Sequence, residues 1–157
     1  MNFIDISKDV AQKLFPQEKW TEVYKNVFVA GSRVPKNSEQ RKVFEKEMIM
    51  AQIASDNNHI VYLLPELSQT KNADAVMDGI LTEFKTVVGG ENAISHRFRD
   101  GLHQGHNVYI KIDSHITVRR VRQILHGVLK GKDNDGLIYC YLTDEKTMYY
   151  WQMNDLK

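Results

Sequence analysis

The dipeptide Asp78-Gly79 limits the fold of this chain more than any other feature. An Asp-Gly pair between two apolar runs favours the two-residue turn of a β-hairpin, because both central residues must take positive φ. With that turn, Met77 faces Ile80, Ala75 faces Thr82 and Asp74 faces Glu83. Residues directly opposite one another share a face, with Cβ atoms about 5 Å apart. Alternation along the second strand brings Lys85 to the same face as Glu83. Two carboxylates and an ammonium are thereby expected on one side of one hairpin. Like charges that close repel, and a divalent cation is the natural compensation.

Composition narrows the classes. At 157 residues, 42% hydrophobic and 26% charged, the sequence reads as a globular domain with a real core. No apolar run nears the ~20 residues of a membrane span, and MNFIDISKDV lacks a signal-peptide layout. The single Cys140 rules out an internal disulfide and a cysteine-based zinc site, which suits a reducing, cytoplasmic setting. A net charge of +1 hides an asymmetry. Between His96 and Lys132 the chain carries +6, and the rest carries −5. A basic half beside a carboxylate cluster suits a polyanionic substrate.

Along the chain, residues 1–37 read as an N-terminal helical arm. A helix is expected over Ser7–Phe15, capped by Ser7 and stopped by Pro16, followed by an apolar stretch Trp20–Val29 and the loop GSRVPKN. From Ser38 to Asn57 the spacing predicts a helix with Ser38 as N-cap. Val43, Phe44, Ala51 and Ala54 form its apolar arc, and Glu47 falls inside that arc. A carboxylate there binds a metal, lies at the arc's edge and snorkels, or pairs with a core-side lysine or arginine. HIVYLL at His59–Leu64 predicts a buried strand, and Glu66–Lys71 a polar connection. After Gly89-Gly90 a helix is expected over Glu91–Gly105, with Ile94, Phe98 and Leu102 inward and Arg97, Gly101 and Gln104 on another face. Asn107–Ile112 is a strand. Ser114 is expected to cap a helix to Leu129 with Val118, Val121, Leu125 and Val128 inward and Arg119, Arg120 and Arg122 outward. Two strands, GLIYCYL and TMYYWQM, close the chain.

Asp74 followed by Glu83-Phe84-Lys85 resembles the signature of the PD-(D/E)XK nuclease superfamily, with Ala73 in place of the usual proline. The expected order α-β-β-β-α-β-α over Ser38–Leu129 is that superfamily's restriction-endonuclease-like core, an α+β fold of sandwich type. The arm and a C-terminal β-hairpin are extra, and residues 38–157 would be the nuclease domain. E-x3-A at Glu47–Ala51, LLPE at Leu63–Glu66, ADAVMDG at Ala73–Gly79, EFK at Glu83–Lys85 and Gln104 ahead of NVYI are similar to tRNA-cleaving toxin domains of contact-dependent growth inhibition systems.

The resemblance implies an endonuclease dependent on Mg²⁺ or Mn²⁺ that hydrolyses phosphodiesters, with RNA or tRNA favoured over DNA as substrate. Asp74, Glu83 and Glu47 would hold the cation, and Lys85 would complete the catalytic set. Gln104, Arg97, Arg99, Arg119, Arg120 and Arg122 would bind substrate. It also implies action in the bacterial cytoplasm after delivery by another system, and a cognate immunity protein. Two other classes stay open: a metal-free ribonuclease using His103 or His106 with Arg97, and a non-catalytic nucleic-acid-binding module. His96, His103, His106 and His115 match no metal motif, so exposed or capping roles are expected. Tyr139, Tyr141, Tyr149, Tyr150 and Trp151 are expected to serve the core more than to stack on bases. Asp78 belongs to the turn.

Overall fold

Residues 3–66 and 73–157 are described by the structure, a computed structural model, with the backbone alone described for 3–5. The fold is mixed α+β, and the chain divides into two compact units, Met1–Thr82 and Glu83–Lys157.

In the first unit the elements are α1 (Phe3–Leu14), β1 (Trp20–Tyr24), β2 (Val27–Ala30), a 3-10 turn at Gly31–Arg33, α2 (Ser38–Asp56), β3 (Val61–Leu63), β4 (Ala75–Met77) and the first residues of β5 (Ile80–Val87). Strand β1 pairs antiparallel with β2, β2 parallel with β3, and β3 antiparallel with β4. Residues 1–37 therefore supply more than a helix: their second half is a β-hairpin bonded into the sheet through Val27↔Val61 and Val29↔Leu63. Helix α1 begins before Ser7, which lies within it and is fully buried instead of capping it. Ala11 joins Ile60, Tyr62, Leu64 and Val76 in a small core, where Tyr62 stacks on Phe28 with centroids 4.4 Å apart. The polar connection expected over 66–71 falls mostly outside the described residues.

The hairpin turn forms as its sequence demands. Asp78 has φ 50° and Gly79 φ 87°, and the pairing is Met77↔Ile80, Val76↔Leu81, Ala75↔Thr82. A Cβ on Gly79 would collide with Ile6 Cγ2, so α1 packs where only glycine fits. The Asp78 carboxylate accepts from the Ile60 amide at 3.0 Å and sits 2.6 Å from His59 Nδ1, tying the turn to the start of β3.

Helix α2 is capped by Asn37, not Ser38. Asn37 Oδ1 accepts from the Gln40 amide at 2.9 Å, while Gln40 Oε1 accepts from the Lys36 amide at 2.9 Å. Its buried stripe is Glu47, Met50, Ala51, Ala54 and Ser55, an i, i+3, i+4, i+7, i+8 pattern. The stripe starts one turn later than expected: Val43 is exposed and Phe44 half-buried.

The second unit contains the rest of β5, then α3 (Glu91–Leu102), β6 (Asn107–Ile112), α4 (Val118–Leu129), β7 (Leu137–Leu142), β8 (Thr147–Gln152) and α5 (Met153–Leu156). Strand β6 runs parallel to β7, and β8 closes antiparallel on β7. Ile94, Phe98 and Leu102 of α3 meet Val121, Leu125 and Val128 of α4 in the main core, over Val108, Ile110 and Ile138. Both apolar stripes are those the sequence predicts. Two boundaries differ. Helix α3 ends at Leu102, and Thr117 rather than Ser114 caps α4, accepting from the Arg120 amide at 3.2 Å. Ser114 instead ties β6 to the end of β5, accepting from the Gly89 amide at 2.8 Å. From α2 to α4 the elements follow the expected α-β-β-β-α-β-α order. Among the described residues no helix is long and apolar enough to cross a membrane.

Candidate functional site

In the first unit the central residue is Glu47. Its place in the α2 stripe turns its carboxyl inward, where the side chain is 10% exposed. Arg33, at the end of the 3-10 turn, donates to it from Nη2, and donates from Nη1 to Glu66 Oε2 at 3.1 Å. Asp74, the residue before β4, presents a carboxyl close enough for its charge to act on Glu47. Burial and then the Asp74 charge push Glu47 up to about 8, with Arg33 pulling the other way. Of the three fates the sequence left Glu47, the structure shows the ion pair with a basic side chain. Arg33 itself was not legible as a site residue: it lies in a loop of Gly, Ser, Val and Pro, with no periodicity to show that it is buried.

In the second unit Glu83 and Lys85 emerge from β5, with 5% and 14% of their side chains exposed. Lys85 Nζ lies 3.6 Å from Glu83 Oε1. Gln104, just past α3, lies against the same carboxylate; with its amide nitrogen facing Glu83, it donates at 2.9 Å to Oε1 and 3.2 Å to Oε2. Gly105 allows this approach. A Cβ there would lie 2.8 Å from the Glu83 amide nitrogen and 3.0 Å from the Asn107 carbonyl. Glu83, Lys85 and Gln104 thus form one polar cluster.

The arginines divide. Arg97 and Arg99 are exposed on α3. Arg120 is held by Glu91, with Nε donating to Oε2 at 2.7 Å and Nη2 to Oε1, so it is already occupied by a carboxylate. Arg119 and Arg122, one residue before it and two after, make no ion pair among the described residues. The histidines take the exposed or capping places expected of them: His103 caps α3, and His96, His106 and His115 are largely exposed. Tyr139 is in the core, Tyr149 and Trp151 are half-buried, and Tyr150 is 66% exposed.

The donor set suits a hard cation. Among the described residues no three His, Cys, Asp or Glu side chains gather in a metal-holding group. Glu47 and Asp74 do bring two carboxyl groups close to each other. Mg²⁺ is typically held by one or two carboxylates, its other positions filled by water and substrate phosphate.

The family model described as "Contact-dependent growth inhibition CdiA C-terminal domain" matches residues 71–146. That is just under half of the chain. It takes in Asp74, Glu83, Lys85, Gln104 and the α4 arginines, and leaves out Glu47. Among solved structures, the chain is similar to one in the "CdiA-CT/CdiI toxin and immunity complex from Burkholderia pseudomallei", with a TM-score of 0.60 over 79% of this chain and 98% of that one. At 13% identity this is a likeness of fold. No curated protein matches at a significant level.

Proposed function

We propose that this chain is a toxin domain of the contact-dependent growth inhibition type, and that it is a PD-(D/E)XK-like endonuclease hydrolysing RNA, tRNA above all. The observation that carries the chemistry is the buried Glu47 carboxyl beside Asp74. Two carboxyls at close quarters inside a fold are costly unless something positive joins them. The match to the CdiA C-terminal model supports the toxin reading, and the solved toxin and immunity complex of similar fold supports a cognate immunity protein as partner.

The proposal takes the hairpin register one step further. Ala75 pairs with Thr82; Asp74 precedes the one and Glu83 follows the other, so both carboxylates would serve one phosphodiester. Asp74, Glu47 and Glu83 would hold Mg²⁺ or Mn²⁺. Such an ion supplies an activated water and neutralises charge on the scissile phosphate. Lys85, kept near Glu83, would orient the attacking water and offset charge on the phosphate oxygens. Gln104 would fix the Glu83 carboxylate, so that the oxygen facing substrate does not rotate away. Arginines on α3 and α4 would grip flanking phosphates without reading sequence. Action in the cytoplasm of a recipient bacterium, after delivery by a larger protein, belongs to the same proposal.

The test is incubation with total tRNA and with plasmid DNA in Mg²⁺, Mn²⁺ or excess EDTA. The expected result is tRNA cleavage in either metal and none in EDTA. Asp74→Ala, Glu83→Ala and Lys85→Ala should each lose at least a hundredfold in rate, about 2.7 kcal/mol of barrier, while staying folded by circular dichroism. Wild-type turnover in any of the three would remove that residue from the site, and full activity in EDTA would point to a metal-free ribonuclease.

A further inference from the structure

The second unit carries a groove of about 570 Å³ formed by α4, β8 and α5. Its walls are mostly apolar. Tyr149 and Trp151 stand at i and i+2 on β8, hence on one face, with rings nearly parallel at 7° and centroids 6.0 Å apart. The Tyr149 hydroxyl donates to Glu145 Oε2 at 2.6 Å, which holds that ring in place. Arg119 and Arg122, the two α4 arginines without a carboxylate partner among the described residues, line the same groove. So does His126, whose Nδ1 donates to the Leu156 carbonyl at 2.7 Å. Asp155 is the one acidic lining residue.

A flat apolar wall beside two uncompensated guanidiniums fits a ligand that is aromatic on one side and anionic on the other. We propose that this groove is a nucleotide subsite, in which a base of a single strand stacks on Trp151 and its phosphates lie on Arg119 and Arg122. Every base has a π-face, so such a platform tolerates any sequence, while the arginines track the backbone. Asp155 gives the groove polarity: it repels phosphate from the α5 end and accepts from exocyclic amines of a base. The Arg120–Glu91 pair explains why only two of the three neighbouring arginines belong to it. The subsite rests on the nuclease reading for its substrate class and would hold a strand segment apart from the bond being cut.

The test uses the full chain with Trp20→Phe, which leaves Trp151 as the sole indole. A single-stranded oligouridylate of about eight nucleotides, in excess EDTA, is titrated while indole fluorescence and anisotropy are read. Saturable quenching is expected. Arg119→Ala/Arg122→Ala, both exposed positions, should raise Kd roughly tenfold and flatten the salt dependence by about 1.4 log–log units, two phosphates at ~0.7 each. Binding by anisotropy without indole quenching, or an unchanged salt slope in the double variant, would overturn the subsite. Failure of the nuclease reading looks different: no cleavage of any nucleic acid, with the quenching intact. Cleavage lost in Asp74→Ala, with Trp151 still quenched by oligouridylate, would support both readings and separate binding from chemistry.

Discussion

Arg33 and Glu47 are each nearly buried, and each makes the other tolerable. A buried ion pair is weak evidence of stability by itself, but removing one partner strands the other's charge. Arg33→Ala leaves Glu47 and Asp74 facing each other without a counter-charge, and should cost about 3 kcal/mol in urea unfolding. Arg33→Ala/Glu47→Ala should cost less than the sum of the single variants, by about 1 kcal/mol or more. Additivity would mean the two do not interact. Cys140 makes a contrasting case. Burial pushes its thiol from 9.0 up to about 12, and the thiolate is the reactive form. At pH 8 a thiol reagent should therefore label the folded chain far more slowly than the urea-unfolded chain. Because the folded thiol stays neutral where the unfolded one ionises, its contribution is complete below pH 9.0 and is lost as pH rises towards 12. Rapid labelling without denaturant would contradict the burial.

Elements were legible where period and turn chemistry agreed. The Asp78-Gly79 hairpin, the α3 and α4 stripes and the order of elements from α2 to α4 follow from those two signals. Caps were less legible, because several candidates stood side by side and tertiary contacts chose among them. Ser114 was drawn off to Gly89, leaving α4 to Thr117, and Asn37 outcompeted Ser38 for α2. The β1–β2 hairpin was missed because its outer strand is mostly exposed and its inner strand is four residues long, too short to show a period. In the candidate site, Glu47 could be singled out because it interrupts an apolar arc. Arg33 could not, since nothing local marks a buried loop arginine. Gly105 and Gly127 test the packing reading at this scale. Gly105→Ala meets backbone atoms at 2.8 and 3.0 Å and should destabilise by about 1–3 kcal/mol, weakening any activity that needs Glu83 in place. Gly127→Ala, within α4 and facing open space, should stabilise by roughly 0.5–1 kcal/mol. Equal effects in thermal melts would contradict the close approach at Gly105.

At the scale of the whole molecule, one small chain carries both acidic clusters and a basic, aromatic groove. A nuclease needs both, since the substrate's charge must be neutralised where it is cut and gripped where it is not. On the proposed reading, the protein's stability should depend on cations. Any ion that binds the folded state alone stabilises by RT ln(1 + [L]/Kd), about 2.7 kcal/mol at a hundredfold excess over Kd. For a domain of this size that is a rise of several degrees in Tm. Mn²⁺ should act at lower concentration than Mg²⁺, since affinity rises along the transition series and Mg²⁺ dehydrates reluctantly. The direct measurement is therefore a calorimetric melt across a Mn²⁺ titration, comparing wild type with Asp74→Ala/Glu83→Ala. The account predicts a Tm that climbs with Mn²⁺ in the wild type and stays flat in the double variant; equal shifts in both, or none in either, would contradict it.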